Sequence, residues 1–226
     1  MANYLVVTIK SWNIANFNKL KAQDKKNKWF LITAKEDLTP EKIKEINPKY
    51  IFFPHWSWII PKNIYENFNC IVFHMTDLPY GRGGSPLQNL IVRGHKDTKI
   101  SAIKVVGQLD AGDIYLKKDL KLEGSAQKIF QRASLIIFKM MKFIVKTNPQ
   151  PTAQTGKVVS FDRRKPDEGD ISKLKELGKI YDYIRMLDGE GYPPAFLQLN
   201  DVRLEFDKAQ LKDGEVIASV KIKIVK

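Results

Sequence analysis

The sequence predicts an α/β protein: a Rossmann-like, doubly wound, mainly parallel sheet followed by a small antiparallel β module. Three observations carry that expectation. Through the first half, short continuous apolar runs alternate with helix-period segments, the pattern of parallel strands covered on both faces. A polar stretch with two prolines, Thr147 to Gln154, follows the longest helical pattern and reads as a linker. Beyond it, the hairpin dipeptides Asn200-Asp201 and Asp213-Gly214 lie between strand-like runs. Residues 1–150 are therefore expected to form one domain, and residues 151–226 a small module of one helix plus β hairpins.

Taken in order, Tyr4 to Ile9 reads as a buried strand, Asn13 to Lys26 as a helix and Trp29 to Thr33 as a second strand. Thr39 to Ile46 is a helix whose cap, Thr39-Pro40-Glu41, places proline at the first helical position. Tyr50 to Phe53 and Cys70 to Phe73 are short strands of unbroken apolar character. Leu87 to Arg93 is helical, Ile100 to Val106 and Asp113 to Leu120 are strands, and Gly124 to Lys146 is a long helix. In that helix Ile129, Ala133, Ile136, Ile137, Met140 and Ile144 recur at helical spacing. After the linker, Ser172 to Leu187 is read as helix, and Ala195 to Leu199, Val202 to Phe206 and Val216 to Val225 as strands.

Composition narrows the function. The 226 residues are 43% hydrophobic and 28% charged, an ordinary globular balance that needs no disulfide or metal to hold it together. Cys70 stands alone, and His55, His74 and His95 lack metal-ligand spacing, so no metal site is expected. No apolar run approaches membrane-spanning length and the N-terminal residues do not form a signal peptide, so a soluble cytoplasmic protein without a membrane partner is expected. The net charge of +13 attracts anionic partners in general. Only 7 of the 38 basic residues are arginine and the lysines are spread along the chain, which argues against a dedicated nucleic-acid surface.

The densest group of special residues runs from Phe73 to Pro86 (FHMTDLPYGRGGSP). His74 leaves the carboxyl end of a buried strand, where open parallel sheets bind ligands. Asp110 stands at another strand end in Leu109-Asp110-Ala111-Gly112-Asp113 and is a candidate to orient His74. Taken singly, His74 reads as a structural histidine sooner than a catalytic one, and Asp110 can be read as a turn residue.

His74 to Pro86 resembles the H-x-S-L-L-P-x-x-R-G-x-x-P segment of the 10-formyltetrahydrofolate-dependent formyltransferases, matching at His74, Leu78, Pro79, Arg82, Gly83 and Pro86. Asp110 to Asp113 is similar to that family's D-[AT]-G-[DP] turn. Phe161 to Asp167 (FDRRKPD) and Tyr192 to Phe196 (YPPAF) are similar to its F-x-R-R-x-P-x-D and P-[YW]-P-G-A-F segments. The resemblance implies an N-formyltransferase with 10-formyltetrahydrofolate as formyl donor and no metal. In such chemistry an amine attacks a formyl carbon, an oxyanion is held by donors, and a proton moves between nitrogens. His74 is then the general base beside the oxyanion, and Asp110 its partner and a proton acceptor.

The resemblance also assigns the pterin ring to the loop holding Trp58, Ile59 and Ile60, with Val106, Gly107, Gln108, Leu109 and Asp110 as the opposite wall. Ser11, Trp12, Asn13, Thr76, Asp77 and Arg82 are implied acceptor-side contacts. Three departures stand out: the family's asparagine two residues before the histidine is Val72, its serine is Thr76 and its next leucine is Asp77. The amide lost at Val72 must be replaced, and Asn13 is one candidate. The stretch after the linker is short, which points to a small acceptor: a nucleotide-linked amino sugar, best matched by UDP-4-amino-4,6-dideoxy-N-acetyl-altrosamine of the pseudaminic acid route. No stable nucleic-acid partner and a monomer or homodimer are expected. The alternatives are methionyl-tRNA as acceptor, or a non-catalytic relative that binds folate or tRNA.

Overall fold

The protein is described here by a computed structural model covering residues Met1–Val225. In chain order the elements are β1 (Asn3–Val7), α1 (Ser11–Gln23), β2 (Lys28–Ile32), α2 (Pro40–Ile46), β3 (Tyr50–Phe53), α3 (Lys62–Tyr65), β4 (Cys70–His74), β5 (Tyr80–Gly83) and α4 (Pro86–Val92). They continue with β6 (Asp97–Lys104), β7 (Ile114–Lys121), α5 (Ala126–Thr147), β8 (Val159–Phe161), a 3₁₀ turn (Pro166–Gly169), α6 (Leu177–Leu187), β9 (Ala195–Leu199), β10 (Val202–Lys212) and β11 (Glu215–Ile224). Two compact units interleave along the sequence: Met1–Arg82, Lys99–Leu120 and Gln131–Ser160 form the first, and Gly83–Thr98, Lys121–Phe130 and the described residues from Phe161 onward the second. The expected break after residue 150 falls within the first unit.

The first unit is built on a six-stranded sheet of order β2-β1-β3-β4-β6-β7. β1 pairs in parallel with β2 and β3, and β3 with β4, while β6 runs antiparallel to β4. The mixed α/β class with a mainly parallel sheet is as the sequence predicts. Strand parity sends alternate side chains to opposite faces. Leu5, Val7, Ile51 and Phe53 join Ile43, Ile64 and Cys70 in one core cluster. On the other parity Tyr4, Tyr50 and Phe52 meet Trp29 and Phe73 in a continuous set of ring contacts.

Local chemistry sets the boundaries. Thr39 accepts a hydrogen bond from the Lys42 N–H and caps α2, and Asn47 ends that helix with left-handed backbone (φ 46°). α1 stops at Gln23, three residues short of expectation. The Asp24 carboxylate accepts from the Lys26 N–H, the Asn27 amide and the Trp29 indole, pulling the chain out of helix.

In the second unit β9, β10 and β11 form the expected antiparallel sheet. Asp213 and Gly214 both have positive φ, the requirement of a two-residue hairpin turn closed by the Lys212 and Glu215 pair. β10 extends past the expected Phe206 to Lys212 because a bulge between Asp207 and Gln210 lets the strand bend and continue. α6 begins at Leu177 instead of Ser172. Residues 171–174 are held in a turn, with the Leu174 N–H donating to the Ile171 carbonyl and the Ser172 N–H to the Asp170 carboxylate.

The pairing of β5 with β8 has no counterpart in the sequence reading. A Cβ on Gly83 would stand 2.3 Å from the Phe161 carbonyl oxygen, so glycine is required for that approach.

Candidate active site

His74 ends β4 and lies opposite Ser101 of β6. The loop after it is pinned from beneath: the Ser101 hydroxyl donates to the Thr76 carbonyl (2.7 Å) and accepts from the Leu78 N–H (3.3 Å). The chain then curls back so that the Gly81 carbonyl lies 2.7 Å from His74 Nε2. A carbonyl only accepts, so Nε2 carries a proton. The other ring nitrogen, Nδ1, faces Asp110 Oδ2 at 3.5 Å, and both side chains are about nine-tenths buried. Sequence reasoning brought these two residues together, and so does the fold.

Asp110 sits in the turn after β6 with left-handed backbone (φ 51°). The turn folds back on the strand: the Lys104 N–H donates to the Asp113 carbonyl, and a Cβ on Gly112 would stand 1.7 Å from the Lys104 carbonyl oxygen. Gln154, in the segment expected to be a linker, donates through Nε2 to the Asp110 and Gly112 carbonyls, both at 2.8 Å. Its Oε1 accepts from Arg82 Nε (3.1 Å) and Nη2 (2.7 Å). The segment is ordered because Thr152 and Ile114 exchange backbone hydrogen bonds. Gln154 escaped the sequence reading, since a lone glutamine in the polar run after Pro151 carries no local signal.

Asp77 forms ion pairs with Lys99 and Lys117, and Lys117 also donates to the Leu78 carbonyl. Burial alone would raise its carboxyl pKa, but hydrogen bonds from the two lysines, then their charge, outweigh burial and hold it below the usual carboxylate range. Thr76 is fully buried, its hydroxyl 3.4 Å from the Gly81 carbonyl. Val72 is in register between Phe53 and Ile103 and packs against the core cluster, so no amide stands there.

Asn13 is 1% exposed at the mouth of β1 and β3, where the strand order reverses. Its amide donates to the Thr8 hydroxyl (3.1 Å) and the Pro54 carbonyl (3.0 Å). Both amide hydrogens are thereby engaged, and Oδ1 is buried without a partner, so Asn13 offers an acceptor and not the donor lost at Val72. Ser11 opens α1 at the surface and Trp12 is buried, its ring edge-on to His55 at 5.6 Å. His55 has left-handed backbone (φ 54°); burial, then the charge of Lys10, pushes its pKa down to about 3, so the ring is neutral.

Of the residues expected to receive the pterin ring, Trp58, Ile59, Val106 and Leu109 are exposed apolar side chains, whereas Ile60 belongs to the core cluster. Gln108 is exposed, and Gly107 passes close to the Tyr65 hydroxyl. Trp56, edge-on to Trp58 at 4.7 Å, has a buried indole N–H without a partner. Apolar walls with an unsatisfied donor suit a flat heteroaromatic ring. Among the described residues no group of three or more His, Cys, Asp or Glu side chains forms a metal site, and no helix is long and apolar enough to cross a membrane.

The solved structure of methionyl-tRNA formyltransferase from Clostridium thermocellum is 57% identical, covers 99% of this chain and all of its own, and superposes with a TM-score of 0.97. The chain belongs to the formyltransferase family that includes the methionyl-tRNA enzymes. The profile of the methionyl-tRNA formyltransferase C-terminal domain matches residues 166–223 of this family member. Methionyl-tRNA formyltransferases of Rickettsia prowazekii and Thermodesulfovibrio yellowstonii are 38% and 28% identical over 187 and 201 residues, or 79% and 84% of the chain. The chain spans 60% and 63% of their respective lengths.

These findings overturn the amino-sugar expectation, and with it the UDP and pseudaminic acid assignment and the absence of a nucleic-acid partner. Relatives named for methionyl-tRNA carry the high identity, whereas a likely sugar N-formyltransferase from Mycobacterium tuberculosis shares only the fold (15% identity, TM-score 0.68). The expectation rested on the short stretch after the linker, and the Clostridium thermocellum structure, matched over its whole length by this chain, is as short.

Proposed function

We propose that the chain transfers a formyl group from 10-formyltetrahydrofolate to the α-amine of methionyl-tRNA, as a cytoplasmic protein. The 57% identity over 99% of the chain to an enzyme of that name carries the reading. A net charge of +13 supplies the attraction for a polyanionic acceptor. The first unit, which holds His74 and Asp110, is the catalytic part.

The donor supplies an activated formyl carbon when bound; the residues of the chain do the rest. Trp58, Ile59, Val106 and Leu109 would flank the pterin ring, with Gly107 and Gln108 offering backbone hydrogen-bonding groups and Ile60 backing the loop from the core. Ser11, Trp12, Asn13, Thr76, Asp77 and Arg82 border the acceptor side. Because the Gly81 carbonyl fixes a proton on Nε2, His74 takes up the proton of the attacking amine at Nδ1. Asp110 stabilises the resulting imidazolium and shares the proton until it passes to the departing folate nitrogen.

The deciding assay incubates the chain with 10-formyltetrahydrofolate and methionyl-tRNA and follows formyl-methionine. Binding of both without turnover would replace this reading with a non-catalytic one, for which Val72 would be the physical reason.

A further inference from the structure

We propose that Gln154 is a positioning residue for Asp110, held to that task by Arg82. The inference rests on the reading of His74 and Asp110 as the proton-transfer pair. Gln154 uses its whole hydrogen-bonding capacity. Two amide hydrogens go to the Asp110 and Gly112 carbonyls at 2.8 Å each, and the amide oxygen takes Nε and Nη2 of Arg82 at 3.1 and 2.7 Å. The orientation of the amide is unambiguous, because flipping it would set oxygen against two carbonyls and nitrogen against a guanidinium.

The consequence lies in what is tied. The two carbonyls flank Ala111, so fixing them fixes the peptide planes that aim the Asp110 side chain from its left-handed backbone. The aim has little slack. Asp110 Oδ2 is 3.5 Å from His74 Nδ1, already at the outer edge of hydrogen-bonding reach, and the ring cannot follow because Nε2 is held by Gly81. Gln154 is itself anchored two residues upstream, where Thr152 bridges to Ile114 at the start of β7. Arg82 thus orients an amide, the amide orients a turn, and the turn aims a carboxylate.

The test compares wild type, Gln154→Leu, Arg82→Met, Asp110→Asn and the Gln154→Leu/Asp110→Asn double variant in the full chain. Two readouts are taken: formylation kinetics, and the substrate-free NMR titration of the His74 ring, against which Asp110 is the charged group. Gln154→Leu is expected to lower kcat about 10- to 100-fold with a smaller change in KM for the formyl donor, since it displaces a reacting group while Trp58, Ile59 and Val106 of the pocket keep their places. It should also move the His74 titration midpoint toward that of Asp110→Asn, and cost less than about twofold further in the Asp110→Asn background. Arg82→Met leaves the glutamine in place and should move the His74 midpoint in the same direction; because Arg82 also borders the acceptor, that midpoint and not the rate decides the matter if Gln154→Leu does not fold. An unmoved His74 midpoint, or losses that simply multiply in the double variant, would overturn the proposal. Wild type that fails to formylate methionyl-tRNA while its His74 midpoint still responds to Gln154→Leu would remove the acceptor reading and leave the positioning role standing.

Discussion

Gly112→Ala is the sharpest probe of the site, because the structure supplies the displacement it must cause. The new Cβ would lie 1.7 Å from the Lys104 carbonyl oxygen, and real Cβ contacts stay above about 3.0 Å, so at least about 1.3 Å of movement is required. The obstacle is backbone on β6, which is paired to β4 and cannot yield. The turn must move instead, carrying Asp110 with it. Starting from 3.5 Å, the carboxylate then loses its contact with His74. A misplacement of about 1 Å typically costs about 100-fold in rate, so kcat should fall by about two orders of magnitude while the cores of both units stay intact. Gly178→Ala is the matched control: nothing lies within 4 Å of its Cβ, and at the start of α6 it should stabilise by about 0.5–1 kcal/mol without touching turnover. Formylation kinetics and thermal denaturation are measured side by side. Wild-type kcat in Gly112→Ala would refute the argument that the turn geometry aims Asp110.

If His74 is the proposed base, His74→Ala should cost about 100- to 10,000-fold in kcat with the fold retained by circular dichroism; near-normal turnover would dismiss that role. Methionyl-tRNA binding should weaken steeply with salt, its log-log slope growing by nearly one for each phosphate neutralised, and a flat dependence would argue for a small acceptor. His55 is held near pKa 3, below its unfolded value, so the unfolded chain takes up a proton there and the folded one does not. Its contribution is complete above about pH 6.5 and is lost as pH falls toward 3; between about pH 7.5 and 5 the Tm of wild type should drop more than that of His55→Asn, whose side chain tolerates the left-handed backbone. Asp77 titrates below this window and does not confuse the comparison. Val72→Asn should raise kcat by restoring a donor on the His74 face of β4, at a cost of about 1–3 kcal/mol in stability for a polar group against the core; unchanged turnover would show that the chemistry does not need that amide.

What was legible in the sequence follows from how local each signal is. Strands such as Tyr50–Phe53 and Cys70–Phe73 announce themselves because a strand buried on both faces is apolar at every position. The hairpin at Asp213-Gly214 was equally plain, since few residues accept two positive φ values in succession. The ribbon of β5 and β8 was invisible because Tyr80-Gly81-Arg82-Gly83 has no strand pattern; it forms where a glycine admits another backbone. Gln154 reads as linker polarity until Asp110, 44 residues away, and Arg82, 72 residues away, are brought to it. The amino-sugar expectation came from a short C-terminal stretch, and the net charge of +13 is the signal in the sequence that agrees with the polyanionic acceptor proposed here.

The supports of the His74–Asp110 pair share one property: they act through the backbone. Gly81 offers His74 a carbonyl, Ser101 holds the intervening loop by the Thr76 carbonyl and the Leu78 N–H, and Gln154 ties the carbonyls of Asp110 and Gly112. A site assembled this way is indifferent to many side chains along its loops and sensitive to the path of the chain between them. That accounts for the departures. Asp77 can replace an apolar residue because it faces outward to Lys99 and Lys117 while its neighbours' backbone keeps its course. Val72 is the exception that bears on chemistry, because strand parity puts it on the same face as His74 and its replacement would have to be a donor. The Asn13 amide is already committed to Thr8 and Pro54, so the first unit brings His74 and Asp110 together while Asn13 does not make good the donor at position 72. Rate measurements on Val72→Asn and Gly112→Ala therefore separate the two requirements of formyl transfer, charge stabilisation and proton movement, on a single scaffold.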